Sequence, residues 1–154
     1  MNISEDMVNI IKETHPIKLK QFEGPGNTKM IGRNHTGKIL LSKDKVTRKE
    51  VEEAFNKDVK KVVNLANKLL VDVLPIPQNH FDVFCSLLYD FSSKYIVVSK
   101  MYNYYMQGKI LEAESTIRLL AKRDGQYYQT LRYRRQIDKE IFSNNKYTTK
   151  GIKI

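Results

Sequence analysis

The sequence predicts an α+β domain that is mostly helical. A chain of 154 residues and 18.0 kDa has the size of one ordinary domain. Glycine and proline concentrate between residues 16 and 45, where apolar and polar residues alternate as in a hairpin. Apolar residues after that segment recur at helical spacing. We therefore expect a short helix, a small hairpin lobe, a long helix and an all-helical lobe.

Local signals place these elements along the chain. Ser4 precedes a short amphipathic segment and predicts a capped first helix, which Pro16 ends. Thr47-Arg48-Lys49-Glu50 has the pattern of a capping box and predicts the start of the long helix. The most apolar run, Phe81 to Phe91, predicts a central buried helix. Shorter helices are expected around residues 100–106, 110–120 and 131–142. We expect one domain over residues 1–142, with the hairpin lobe at about 14–45, the helical lobe at about 72–142, and a flexible basic tail over 143–154.

The charge is the unusual part of the composition. Lys and Arg number 27 and Asp and Glu number 17, a net charge of +10. The segments 16–49 and 118–154 each carry +7, whereas the remainder carries −4. A surface polarised in this way favours an anionic polymer as partner, such as nucleic acid or the bacterial cell wall. A solvated surface that only keeps the protein soluble would give the same excess.

Several classes of protein are excluded by composition. A single cysteine, Cys85, excludes an internal disulfide and a multi-cysteine metal site. The three histidines lack the close spacing of a helical metal site, so we expect no metal and no cofactor. No stretch approaches the roughly 18 apolar residues of a membrane span. The polar N-terminus lacks a signal-peptide core, so we expect synthesis in the cytoplasm.

Five motifs in register resemble the tailed-phage lysozyme (endolysin muramidase) family. The clearest is Pro75-Ile76-Pro77-Gln78-Asn79-His80-Phe81-Asp82, which is similar to the family's Pro-Leu-Pro-Gln-Asn-Gln-Phe-Asp. The others are Ile11-Lys12 with Leu19-Lys20, the segment from Ile31 to Gly37, Val46-Thr47 with Asp58-Val59, and Leu131 followed by Arg134-Arg135, Asp138 and Ile141-Phe142. The resemblance covers about residues 3–142. It implies a lysozyme-like fold and descent from enzymes that cleave peptidoglycan.

The positions that carry catalysis in this family hold other residues here. The resemblance implies a Glu that protonates the glycosidic oxygen, an Asp nine residues later and a Thr six beyond that. Counted back from Ile31-Gly32, these positions are His15, Gly24 and Met30. Cleavage of a glycoside needs one protonated carboxyl group and one carboxylate across the bond. A protonated imidazole would instead place a positive charge beside a developing cation. The sequence therefore predicts loss of muramidase activity by the family mechanism.

One alternative keeps an acid. Phe22-Glu23-Gly24 repeats the family's Phe-Glu-Gly, and a shifted alignment would make Glu23 the acid of a residual or rewired peptidoglycan-cleaving enzyme. That alignment deletes about eight residues and breaks the ungapped match at Ile11-Lys12 and Leu19-Lys20. With no partner Asp nearby, only a single-acid mechanism of the lytic-transglycosylase type would remain.

Binding is therefore the favoured function, with peptidoglycan or a protein partner as the target and phage or prophage as the expected origin. A basic nucleic-acid-binding or regulatory protein is the second alternative, because basic and aromatic residues alternate from Tyr127 to Arg135. The resemblance gives the family His, here His35, a structural role between the lobes, and places Asp90 where the family usually has Asn. The candidate binding residues are Arg33, Asn34, His35, Arg132, Arg134 and Arg135.

Overall fold

A computed structural model describes residues 1–153. The chain begins with helix α1 (Glu5–Thr14), followed by strands β1 (Lys18–Glu23) and β2 (Lys29–Gly32) and a short helix α2 (Lys38–Leu41). The long helix α3 covers Arg48–Leu69. The remaining elements are α4 (Gln78–Asp90), α5 (Ser93–Val97), α6 (Lys100–Met106), α7 (Ile110–Thr116), β3 (Lys122–Arg123), β4 (Gln126–Tyr127) and α8 (Gln129–Asn144), with 3-10 turns at Pro25–Asn27 and Ile117–Leu119. The mostly helical α+β prediction is confirmed.

Helix starts follow the capping signals of the sequence. The Ser4 hydroxyl accepts the Met7 amide at the start of α1. At the start of α3 the Thr47 hydroxyl accepts the Glu50 amide at 3.2 Å, and the Glu50 carboxylate accepts the Thr47 amide at 3.1 Å. Both arrangements satisfy amide groups that a helix N-terminus otherwise leaves without partners. The two predicted helix starts are therefore where local chemistry places them.

Two cores of unequal size underlie the two lobes. The hairpin lobe has a small core of Ile31, Val46 and Val51. The larger core is built around α4, whose residues Phe81 to Leu88 are all buried, and it includes the buried face of α1. The first helix therefore precedes the hairpin in sequence but packs with the helical lobe. Such packing places its C-terminal end between the two lobes.

The hairpin lobe is a two-stranded antiparallel sheet that packs against α3. Phe22 pairs with Met30 and Glu23 with Lys29. Gly32 has a φ of 66°, and a Cβ atom there would lie 3.2 Å from the Val51 side chain on α3. Glycine therefore allows the sheet to approach the long helix closely.

The helical lobe carries a second, very short hairpin that the sequence pattern did not predict. Lys122 pairs with Tyr127 and Arg123 with Gln126 across the turn at Asp124 and Gly125. This adds a two-residue ladder to a lobe that was expected to be all helical. The hairpin matters because Arg123 reaches the space between the lobes.

The C-terminal segment contacts the domain through several side chains, and the flexibility expected of it stays a prediction. Helix α8 continues to Asn144, two residues past the expected boundary. The Tyr147 hydroxyl donates to the Asp82 carboxylate at 2.6 Å, and Thr149 donates to Glu13 at 2.8 Å. Tyr147 and Ile152 also pack on the main core. Ile154, part of the predicted tail, lies outside the described residues.

No helix within residues 1–153 has both the length and the apolar character needed to cross a bilayer.

Candidate functional site

The site lies in a cleft of about 320 Å³ between the lobes. One wall comes from the hairpin lobe, the floor from α3, and the other wall from the end of α4 together with Arg123 and α8. The polar or charged side chains that line it are Thr28, Asn34, Thr36, Asp58, Lys61, Asp90, Ser92, Arg123 and Arg134. Two acidic residues therefore line the cleft, Asp58 from α3 and Asp90 from the end of α4, and the Asp90 side chain is only 3% exposed.

His15, which the sequence resemblance places at the family's acid position, is buried beside Asp90. Its side chain is 2% exposed at the C-terminal end of α1. Its Nε2 atom lies 2.9 Å from Asp90 Oδ1, and its Nδ1 atom lies 2.8 Å from the Ile11 carbonyl and 3.1 Å from Thr14 Oγ1. The edge of the ring also contacts Tyr89. Both ring nitrogens are thus occupied inside the protein, and neither faces an open site.

Asp90 is the centre of a buried ion-pair network. Its carboxylate accepts from Arg134 Nη1 and from Arg135 Nη2, each at 2.8 Å, in addition to the His15 contact. Arg135 is also paired with Asp138 at 2.8 Å. Two carboxylates and two guanidinium groups therefore balance one another in a region closed to water, which is the condition for burying charge.

The network fixes the protonation states of its members. Burial alone would raise the pKa of Asp90, but the charges of Arg134, Arg135 and His15 outweigh it and hold that pKa far below the usual range. Burial lowers the pKa of His15, and the nearby Asp90 carboxylate opposes only part of this effect. The Nε2 atom carries the proton that it donates to the Asp90 carboxylate. Asp90 is therefore a permanent carboxylate that has no proton to give.

Gly24 and Met30, which the same resemblance places at the other two catalytic positions, share a single space. A Cβ atom on Gly24 would lie 2.6 Å from Met30 Sδ and 2.9 Å from Met30 Cε. The thioether of Met30, which is 6% exposed, thus occupies the volume that a side chain at Gly24 would need. Met30 is apolar there, so this part of the cleft wall holds no carboxylate.

The two lobes touch at one edge of the cleft. A Cβ atom on Gly26 would come within 2.5 Å of Arg123 Cγ and 2.8 Å of Asp124 Oδ2, so the turn at residues 24–27 lies directly against the β3–β4 turn. The Arg123 guanidinium stacks over Phe91 and donates to the Asp90 carbonyl. This edge of the cleft is therefore covered by a contact between the lobes.

The other predicted site residues divide into three groups. Arg33 is engaged inside the molecule, where it donates to the carbonyls of Lys12 and His15 at 2.8 and 2.9 Å. His35 Nδ1 lies 2.7 Å from the Asp58 carboxylate on α3, a contact that connects the hairpin to the long helix. Asn34 lines the cleft, whereas Arg132 is exposed and lies in a different groove.

Burial corrects two of the predicted binding residues. Arg135 is 1% exposed and Arg134 is 8% exposed, and both guanidinium groups are used by Asp90. Arg135 is not available to a ligand, and Arg134 reaches the cleft only at its rim. Their partner Asp90 was seen in the sequence as a polar contact at a helix end, but its pairing with α8 was missed. Asp58 was also missed in the sequence as the partner of His35.

Glu23, the alternative acid, stands apart from the cleft. It is an exposed residue at the end of β1, paired with Lys29 in the hairpin ladder, and it does not line the cavity. Within residues 1–153, no three His, Cys, Asp or Glu side chains come together in a way that could hold a metal ion.

Solved lysozyme structures share this fold. The chain aligns with an endolysin from Escherichia coli O157:H7 phage FAHEc1 with a TM-score of 0.76 and 20% identity, covering 96% of this chain and 97% of that one. The muramidase domain of SpmX from Asticaccaulis excentricus aligns with a TM-score of 0.74 and 24% identity over 92% and 97% of the two chains. For a point mutant of P22 lysozyme, the TM-score is 0.70 and the identity 23%, over 92% and 98% of the two chains.

Sequence comparison adds two curated relatives and a family. The chain is 27% identical over 146 residues to an endolysin of Bacillus phage PZA, covering 94% of this chain and 56% of that protein. It is 28% identical over 90 residues to an endolysin of Acyrthosiphon pisum secondary endosymbiont phage 1, covering 58% and 60%. The chain thus spans little more than half the length of these relatives. A model of the phage lysozyme family matches residues 12–138, and the chain belongs to that family.

Proposed function

We propose that this member of the phage lysozyme family binds bacterial peptidoglycan and does not cleave it by the family's two-carboxyl mechanism. The observation that carries the proposal is the state of the two carboxylates in the cleft. Asp90 is held by Arg134, Arg135 and His15, and Asp58 is held by His35. Glycoside cleavage requires a carboxyl group that can deliver a proton to the leaving oxygen. A carboxylate whose pKa is held far below the usual range cannot do this at neutral pH.

The remaining candidates for a general acid are also poorly placed. His15 is buried, and both its nitrogens have partners inside the protein. Glu23 lies on the hairpin, paired with Lys29 in the ladder, and does not line the cavity. The cleft keeps uncharged hydrogen-bonding groups and one exposed cation, Lys61, which suit the hydroxyl, amide and carboxylate groups of a peptidoglycan strand. These features support binding over hydrolysis.

The test separates binding from cleavage. Purified peptidoglycan is mixed with the protein and sedimented, and the supernatant is assayed for soluble muropeptides. We expect the protein in the pellet and no muropeptides above the level of a protein-free control. Muropeptide release that disappears in Glu23→Gln and persists in Glu13→Gln, another exposed carboxyl group, would contradict the proposal and establish the alternative acid.

A cleft variant locates the binding site. Lys61→Gln removes the exposed cation of the cleft floor, whereas Lys57→Gln removes an exposed cation one turn earlier on α3 that does not line the cavity. We expect weaker sedimentation of the Lys61 variant alone, by a few-fold, since one exposed charge contributes at most about 1 kcal/mol. Protein that stays in the supernatant without any substitution would refute binding itself.

A further inference from the structure

A second groove, outside the cleft, collects positive charge that nothing in the described chain neutralises. It is lined by Arg118 from the 3-10 turn Ile117–Leu119, by Tyr127 from β4, and by Arg132 and Gln136 from α8. Lys122 pairs with Tyr127 across the short hairpin and places its ammonium group over the Tyr127 ring. No carboxyl group lines the groove.

The groove is separate from the cleft because it uses another face of α8. Leu131 and Arg134 line the cleft, whereas Arg132 and Gln136 line the groove. At 3.6 residues per turn, Arg132 and Arg134 point about 160° apart around the helix. Substitutions in the groove therefore leave the cleft and its ion-pair network in place.

The three cations of the groove are free to bind an anion. Among residues 1–153, no Asp or Glu lies within 4.0 Å of the charged groups of Arg118, Lys122 or Arg132, in contrast to the paired Arg134 and Arg135. Two of these cations lie over the half-exposed ring of Tyr127. Lys122 Nζ lies 4.6 Å and Arg132 Cζ 5.9 Å from the ring centroid. Contacts of this kind hold cations over an aromatic face without cancelling their charge.

The geometry points to phosphate groups as the ligand. Guanidinium groups match the oxygens of a phosphate in a two-point hydrogen-bonded arrangement, and two of the three cations are arginines. Single-stranded nucleic acid is bound through bases that stack on open aromatic rings. Here cations already lie over the ring of the single aromatic residue that lines the groove. The groove is therefore suited to a polymer that offers phosphates without bases.

We propose that this groove, lined by Arg118, Tyr127, Arg132 and Gln136 with Lys122 over the Tyr127 ring beside it, binds the phosphodiester chain of an anionic polymer of the bacterial wall. The choice of a wall polymer over duplex nucleic acid rests on the proposed function, which places the protein on peptidoglycan. The protein then holds the wall at two places, with glycan in the cleft and phosphodiesters in the groove.

The experiment uses residues 1–154 and two preparations of one wall. Walls of a Gram-positive bacterium that retain poly(glycerol phosphate) are compared with the same walls after hydrofluoric acid has removed it. The groove variant is Arg118→Gln/Arg132→Gln. Its control, Lys20→Gln/Lys49→Gln, removes two exposed cations elsewhere and so has the same net charge. All four positions are exposed, and equal thermal unfolding temperatures verify that each variant is folded.

We expect the unsubstituted protein and the control to bind intact walls about tenfold more tightly than the groove variant, with an advantage that shrinks as salt rises. On stripped walls all three should bind alike. Equal binding of groove variant and control to intact walls would overturn the proposal. It would also be overturned if a 20-base-pair DNA duplex bound through Arg118 and Arg132 more tightly than soluble poly(glycerol phosphate) at the same salt and phosphate concentrations.

Failure of this inference and failure of the proposed function give different results. Stripped walls contain peptidoglycan without phosphodiesters, so their binding reports on the cleft alone. Binding to intact walls that depends on Arg118 and Arg132, together with no binding to stripped walls, would support the groove and refute the cleft proposal. Binding to stripped walls with no difference between the variants on intact walls would do the reverse.

Discussion

At the scale of single residues, the contact between His15 and Asp90 has its carboxyl group on the opposite partner from the one that the family resemblance implies. The family resemblance puts a Glu at the position of His15 and usually an Asn at that of Asp90. In this chain the carboxylate is on α4, still within reach of Arg134, and the imidazole is on α1. One negative charge thus remains beside the arginines, which keeps the buried network balanced. Compared with the arrangement that the resemblance implies, the negative charge lies on α4 and not on α1.

The pH dependence of stability should report this exchange. The pKa of His15 is lower in the folded chain than its ordinary value of 6.5, so the unfolded chain binds the proton more readily. Stability should therefore be retained above pH 6.5 and fall as the pH drops below it, by up to about 1.4 kcal/mol per pH unit for one proton. Urea unfolding of the wild type and of His15→Gln between pH 7.5 and 5 measures the difference.

Comparison with the glutamine variant separates the titration of His15 from that of the other histidines. Its amide can still donate to Asp90 but does not titrate, whereas His80, whose pKa is also lowered by burial, is unchanged in both proteins. We expect the stability of His15→Gln to fall less steeply below pH 6.5. Equal slopes would mean that the ring is already charged in the fold.

Residue type explains why the sequence misled on Arg134 and Arg135. Arginine is almost never fully buried unless it is paired, so two adjacent arginines in a basic segment were expected at the surface. Their partner lies 44 and 45 residues earlier in the chain, and only the packing of α4 against α8 brings the charges together. The predicted loss of the family's catalytic residues, by contrast, rests on residue identity alone and stays a prediction.

At the scale of elements, the buried carboxylate of Asp82 connects both ends of the described chain to α4. It accepts from the Ser4 amide at 2.9 Å, from Gln78 Nε2 at 2.9 Å and from the Tyr147 hydroxyl at 2.6 Å. Asp82 is 0% exposed and has no cation within 4.0 Å among residues 1–153. Hydrogen bonds alone therefore compensate for its burial, which makes each of them important.

Tyr147→Phe tests the contribution of the C-terminal segment. The substitution keeps the ring and removes one donor to a buried charge, so we expect a loss of about 1.5 to 3 kcal/mol in unfolding free energy. Tyr133→Phe is the matched control, because its hydroxyl donates to the Thr149 carbonyl at the longer distance of 3.3 Å. Equal, small losses in both variants, measured by urea unfolding, would show that the hydrogen bond from Tyr147 to Asp82 contributes little to stability.

Elements with a local signal were predictable, and those that depend on distant packing were not. The helices after Ser4 and Thr47 begin where capping residues predict them. The short hairpin of the helical lobe also had a signal, since Asp124-Gly125 is a favoured hairpin turn and both residues have positive φ. It was missed because strands of two residues leave no alternation to detect. The polar tail was expected to be loose because its anchor, Asp82, lies more than sixty residues away.

At the scale of the whole molecule, the two lobes and the cleft between them are those of the family, while the residues inside the cleft are adapted to one another. His15 fits Asp90, and Met30 fits Gly24. Restoring the family triad alone would place a Glu at position 15 against the Asp90 carboxylate. Two carboxylates in contact repel each other, and this repulsion strongly raises the pKa of one of them. Asp90→Asn has to accompany the reversion.

Lysis of permeabilised bacteria, followed as loss of turbidity, measures this adaptation. We expect activity from His15→Glu/Gly24→Asp/Met30→Thr/Asp90→Asn and none from the unmodified chain. The same quadruple variant with Gln instead of Glu at position 15 is the control, because it lacks only the acid. The triple variant that keeps Asp90 should be less stable and less active. A folded quadruple variant without activity would show that the cleft has lost more than these four side chains.

The fit between Met30 and Gly24 also bears on the history of the chain. An aspartate returning to position 24 by one mutation meets the Met30 thioether, and a threonine returning to position 30 first leaves a gap beside a glycine. Either order passes through an intermediate that is worse packed and still lacks the acid at position 15. No single one of these substitutions is therefore expected to increase cleavage. Positions 24 and 30 therefore have to change together with position 15 before cleavage could be selected.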